Sequence, residues 1–246
     1  MNIKHTLSII ILFTAMLWPA HAGAQGWQWA AGGRGSNGEA MGPAVDVWGN
    51  VYTLGGFCCA DTFGTLVFPG STTGSDNTIV IKYDANGNLI WGYSTQDDGV
   101  SGYNIAADNY GNLYLLGTFG TTLHMGSFTL TNPSTTVAAA FLAKFTPSGA
   151  VAWAVNLGTS LGLDAEIAAR NDHVYITGDF DEAVFHIGSF TCTNTNPSGS
   201  SLDVFVAKID SNGSVIWAKS AGGFGDDFGM SIAVTPTEHV YIGLAK

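Results

Sequence analysis

The residues of this chain best suited to chemistry are carboxylates, and they fall at recurring places. These are Glu39, the pair Asp97–Asp98, Asp164 with Glu166 close behind, and the pair Asp226–Asp227. Carboxylates brought to one rim could hold a hard cation such as calcium, whose ligands are oxygens. Two of them about 5–10 Å apart across a cleft could serve a glycosidase. Nothing in the sequence selects such a pair, and the solvated loops of an acidic protein also carry acids for no chemical reason. Glu39, Asp97, Asp98, Asp164, Asp226 and Asp227 are therefore candidates for binding, with calcium as the one cofactor they suggest. No residue is assigned to catalysis or to a metal.

Other polar constellations are weaker. Asp84-Ala85-Asn86-Gly87-Asn88 and Asp210-Ser211-Asn212-Gly213 superficially follow a calcium loop. The glycine comes too early and no glutamate follows at the bidentate position, so the aspartates read as side-chain caps of tight turns. His124 and His186 each stand two residues before a Gly-Ser-Phe-Thr run, in different repeats, which is a poor arrangement for shared zinc ligation. Cys192 aligns with Leu130 and reads as a buried apolar thiol. Cys58-Cys59 admits three readings: a vicinal disulfide, an intermolecular bridge or two plain thiols. With three cysteines in all, a fully paired intramolecular set is excluded. No H-E-x-x-H or G-x-x-x-x-G-K-[S/T] motif occurs.

Composition narrows the partners. The formal net charge is −11 with 8 Lys and Arg in total, a balance that repels phosphate backbones and disfavours nucleic acid. The start, Met1-Asn2-Ile3-Lys4-His5, precedes an apolar run from Leu7 to Trp18 and then Ala20-His21-Ala22 and Ala22-Gly23-Ala24. A basic start, a short apolar core and a small-residue site predict a secretory signal peptide over residues 1–24. The run is shorter than the roughly 20 residues that span a bilayer, so no membrane span is expected once it is removed.

The elements that must position these side chains are repeats. Asn77 to Trp91 returns as Ala140 to Trp153 and again as Val204 to Trp217, with Lys82, Lys144 and Lys208 in step. A second block, Ala44 to Tyr52, returns as Ala106 to Tyr114 and Ala168 to Tyr175, and begins again at Ala233 to Tyr241. With 33 glycines, alternating β-branched runs and Asn-Gly, Gly-Asn and Ser-Gly pairs, each unit predicts four strands. These are A near 43–47, B near 51–57, C near 78–83 and D near 89–94, joined by hairpin turns. A lone four-stranded sheet cannot bury both faces, and stacking copies around an axis solves that.

Gly49-Asn50-Val51-Tyr52, and Phe205-Val206-Ala207-Lys208-Ile209-Asp210 with Gly213 and Trp217, carry a resemblance. The pattern is similar to the SBBP-type β-propeller repeat family and covers residues 25–246. The resemblance implies an all-β propeller of four-stranded blades and an exported bacterial surface or secreted protein. It says little of activity. Arg170 departs from the pattern, standing where the other units have aspartate. The fourth unit is incomplete, and Gly26 to Gly33 matches Val215 to Gly223 as a D strand. The expectation is about three complete blades plus a partial one, a fragment of a larger propeller. A small four-bladed ring with one defective blade is the alternative.

Strand order puts the D-to-A and B-to-C connections on one face and the tight A-to-B and C-to-D turns on the other. Function is expected on the long-loop face, where the units differ. The repeated Trp91, Trp153 and Trp217 read as packing between units, and the repeated lysines as stems along the sheet with their charge in water. The functional expectation is a secreted or cell-surface, non-enzymatic recognition or adhesion scaffold for a protein or glycan ligand. The alternative is an exported polysaccharide-active hydrolase or lyase.

Overall fold

In the computed structural model, residues 38–71, 74, 77–159, 165–196 and 201–246 are described. The expected signal peptide, the expected Gly26–Gly33 strand and Asp164 lie outside them. Among the described residues the secondary structure is entirely β.

Unit I is an antiparallel sheet of β1 (Gly38–Val45), β2 (Val51–Phe57), β5 (Asn77–Tyr83) and β6 (Leu89–Ser94), in that spatial order. Unit II repeats it with β7 (Ser101–Ala107), β8 (Leu113–Phe119), β11 (Ala139–Phe145) and β12 (Val151–Gly158). Unit III does so with β13 (Glu166–Arg170), β14 (His173–Phe180), β17 (Asp203–Ile209) and β18 (Val215–Ala221). A fourth unit contributes β19 (Phe228–Val234) and β20 (Val240–Ala245), paired with each other. The A–B–C–D order is the one the repeats predict. Register is also preserved, since Tyr52, Tyr114 and Tyr175 lie opposite Lys82, Lys144 and Lys208.

The turns follow from local chemistry. Gly49 and Gly111 in the A–B turns, and Gly87, Gly149 and Gly213 in the C–D turns, take positive φ, which lets the strands reverse tightly. Unit III instead uses Asn171 (φ 50°) and Asp172 (φ 61°), residues that tolerate the left-handed region. Aspartates cap the turns as expected: the Asp84 carboxylate accepts from the Asn86 and Asn88 amides at 2.8 Å each.

The sheets pack face to face. A strands follow one another, β1 against β7, β7 against β13 and β13 against β19. One apolar core joins Tyr52, Leu54 and Val80 of unit I to Leu113, Phe141 and Phe145 of unit II. A second joins Tyr114 and Leu142 of unit II to Ile176, Phe205 and Ile209 of unit III. Covered on both faces, strands β5, β8 and β11 are buried along their whole length, and so read as nearly continuous apolar runs.

The B–C connections differ from the expectation of long loops. Each contains a short hairpin: β3 (Asp61–Phe63) with β4 (Leu66–Phe68), β9 (Thr122–Met125) with β10 (Phe128–Thr131), and β15 (Val184–Ile187) with β16 (Phe190–Thr193). Their turn glycines Gly64, Gly126 and Gly188 face Leu89, Val151 and Val215, the first residues of the D strands. The hairpins therefore lie back along their own sheets instead of projecting from one face. Leu123, Met125, Phe185, Ile187 and Cys192 are buried by them, so the thiol of Cys192 is an apolar filler as expected.

Candidate functional site

Two polar regions stand out, the seams between units and the rim formed by the D–A connections and hairpin bases. The seams hold the repeated residues. Asp46 accepts hydrogen bonds from the Trp48 and Asn50 amides, the Asn50 side chain and the Tyr52 hydroxyl. Tyr52 also reaches the Gly111 carbonyl of unit II at 3.1 Å. Asp108 repeats the arrangement with Tyr110, Asn112 and Tyr114, and the Tyr114 hydroxyl reaches Asp172 of unit III at 3.1 Å. Burial foremost, and the Asp46 carboxylate next, push the Tyr52 phenol well above its usual range; Tyr114 is raised in the same way, by burial and then Asp108 and Asp172. Both phenols are therefore neutral donors and unsuited to act as bases.

The lysine reading needs correction. Lys82 is 4% and Lys144 8% exposed, so their charges do not reach water. Lys82 lies over the Tyr52 ring, 3.9 Å from Asp46, and donates to the Pro147 carbonyl of unit II at 3.1 Å. Desolvation lowers its pKa, and Asp46 opposes that. Lys144 pairs with Asp172 of unit III, and Lys208 donates to Glu238 of unit IV at 2.7 Å. Each lysine thus ties its own sheet to the following one, through neighbours that local sequence does not reveal. Where Arg170 replaces the aspartate, Glu238 supplies the carboxylate from the far side of the seam. The Lys208 hydrogen bond foremost lowers the pKa of Glu238 to about 2, against burial.

Trp91 and Trp153 act as packing residues between units, as expected. The Trp91 indole N–H donates to the Pro147 carbonyl at 3.0 Å, and its ring stacks on Phe145. Trp153 donates to the Ser211 carbonyl at 2.7 Å. Gly149 and Gly213 lie under these rings, where a Cβ would meet Trp91 at 2.8 Å and Val155 at 2.9 Å.

On the rim, the structure spreads the candidate acids over different units. Glu39 lies in β1 opposite Gly56. Asp97 accepts from the His124 amide and lies 2.8 Å from that ring's Nδ1, linking unit I to the unit II hairpin. Asp98 accepts from the Ser71 hydroxyl at 2.5 Å. Asp226 accepts from the Leu202 amide at 3.0 Å, and the Asp227 amide donates to the Leu202 carbonyl at 2.8 Å. The Asp227 side chain is buried, 3.7 Å from Lys246 Nζ. These contacts hold loops together. Among the described residues, no three His, Cys, Asp or Glu side chains gather as metal ligands would.

Two rim residues escaped the sequence reading. Asp203 is fully buried at the start of β17, with one oxygen holding the Thr195 amide and hydroxyl. Its other oxygen faces Gly222, where any Cβ would collide with it. Only a pairing of distant segments reveals this. Phe224 is 86% exposed in the connection leading to β19, two residues from Asp226. An aromatic between glycines in a D–A connection was the signal that could have found it.

No family model matches the chain. It is 23% identical, over 206 residues, to an uncharacterized WD repeat-containing protein of Acanthamoeba polyphaga mimivirus. The match covers 74% of this chain and 15% of that protein, so the chain corresponds to a small part of its relative's length. No helix among the described residues is long and apolar enough to cross a membrane. The distant similarity and the antiparallel four-stranded sheets are consistent with a repeat protein of the β-propeller type.

Proposed function

We propose that the chain is a non-enzymatic recognition scaffold of the SBBP-like kind, exported and exposed at or beyond the cell surface. It binds a protein or glycan ligand on the rim built from the D–A connections and hairpin bases. The four-stranded units act as propeller blades.

The observation that carries this reading is the division of labour in the polar residues. The repeated Asp, Tyr, Lys and Trp side chains are consumed in holding one unit to the next, and they offer no reacting constellation. Variation between units is concentrated on the rim, where Phe224 presents an uncovered ring beside Asp226. An exposed aromatic flanked by hydrogen-bonding groups suits a ligand that is part apolar and part polar, such as a sugar face or a protein loop.

A glycan panel assayed for both retention and product formation tests the proposal. Binding without turnover, weakened about tenfold or more by Phe224→Ala and less by Asp226→Asn, is expected. Turnover abolished by Asp97→Asn or Asp226→Asn would replace the scaffold with a polysaccharide-active hydrolase or lyase.

A further inference from the structure

The base of the β3–β4 hairpin carries chemistry that neither of the other hairpins has. Cys58 and Cys59 directly follow β2, where units II and III have Gly120 and Asp181. Cys58 is half-buried and Cys59 exposed. Their sulfurs are 2.8 Å apart, inside ordinary van der Waals contact though beyond the bonded distance of about 2.05 Å. The surrounding chain keeps this stretch of backbone in place. The Ser71 amide donates to the Cys58 carbonyl at 3.0 Å, and Gly70 packs so closely on Cys59 that a Cβ there would meet its Cα at 2.7 Å. Ser71 in turn holds Asp98 through its hydroxyl.

From this geometry we infer that Cys58 and Cys59 form a reversible vicinal dithiol–disulfide couple, a redox-responsive modification site at the rim. The oxidant is a low-molecular-weight disulfide or a protein disulfide oxidant. The thiolate of one cysteine attacks a sulfur of that disulfide, giving a mixed disulfide and releasing one thiol. The neighbouring thiolate then attacks the protein sulfur of the mixed disulfide and expels the second thiol. Two protons and two electrons leave the protein, and the oxidant becomes two thiols. The second step is favoured because the two sulfurs are already in contact.

The product is suited to switching and not to stapling. It closes no loop of intervening residues, so it adds almost none of the chain-entropy stabilisation that long-range disulfides give. Adjacent Cα atoms lie about 3.8 Å apart, closer than the usual disulfide range, so the ring is strained and readily reduced. Closing it turns the Cys58–Cys59 peptide, and that loosens the Ser71 contact on Cys58 and, through Ser71, the position of Asp98.

The test treats the whole chain with oxidised glutathione, followed by intact mass measurement, thiol counting and non-reducing electrophoresis. The expected result is a monomer lighter by two hydrogens that has lost two accessible thiols. A proteolytic fragment should contain both residues in ring form, and dithiothreitol should reverse the change. Cys58→Ser and Cys59→Ser should each take up glutathione instead. In the oxidised wild type the Ser71 amide should exchange with solvent faster than in the reduced form. Stable glutathione adducts on the wild type, a covalent dimer, or two thiols that persist after oxidation would each overturn the inference.

Discussion

The seam between units II and III and the seam between units III and IV are made from the same repeated residues, yet they close differently. In the first, Trp153 is buried, its N–H held by the Ser211 carbonyl and its ring lying over Gly213. In the second, Trp217 is only half-buried and borders an open cleft of about 480 Å³ with Val206, Lys219, Val240 and Ile242. The lysine contact of the second seam nevertheless forms, because Lys208 and Asn171 both engage Glu238. A seam therefore has two separable parts. In both, the A–B turn of the following unit supplies the acceptor for the lysine, while in the first the C strand and C–D turn of unit III cover the tryptophan. Among the described residues, unit IV contributes the first of these.

The largest effect that sharpens this contrast is the loss of a tryptophan. Trp153→Ala should destabilise the protein by about 3–5 kcal/mol, as for a large aromatic removed from a packed core. Trp217→Ala should cost about 1–2 kcal/mol, because less of the ring is withdrawn from water. Urea unfolding of both variants measures the difference, and equal losses would break the comparison. Next comes the glycine beneath the covered ring. Gly213→Ala meets both a left-handed φ of 85° and a crowded Cβ position, for an expected loss of about 2–4 kcal/mol. Gly225→Ala, with open space around its Cβ position, should stay within about 0.5 kcal/mol of wild type.

The smallest effect concerns the polar part of the open seam. Glu238 titrates near 2 in the folded protein, below its ordinary value of 4.5. Its contribution to stability is therefore full above about pH 4.5 and is lost as pH falls toward 2. The carboxylate is partly solvated, so the contribution should be under about 1 kcal/mol. Unfolding midpoints measured across that window should converge for wild type and Glu238→Gln at the acid end, with wild type ahead above it.

Sequence spacing carried the sheets well and the seams only in part. Strand identity and order were legible because alternation and turn glycines are local signals. The hairpins were not, since runs of three or four residues such as Asp61–Phe63 are too short to show a period. The lysines defeated a local reading for a different reason. A stem along a sheet is visible in one unit, but whether its charge meets water depends on a turn 28 to 65 residues later in the chain. On the rim, Asp97 and Asp98 read as available carboxylates because their partners, His124 and Ser71, come from separate connections. Phe224 was in plain view, but only the fold shows its ring exposed among the described residues.

Every seam contact described above points the same way along the chain. Trp91 and Trp153 donate forward, and Lys82, Lys144 and Lys208 reach forward. The leading face of a unit and its trailing face are thus different surfaces, and neither can pair with a copy of itself. Such head-to-tail interfaces do not end in a two-fold pair. They propagate until the rotation per unit returns the last trailing face to the first leading one, or they continue as an open spiral. The directional tryptophan and lysine contacts therefore set a geometric rule for how many units this architecture must gather before its ends can meet.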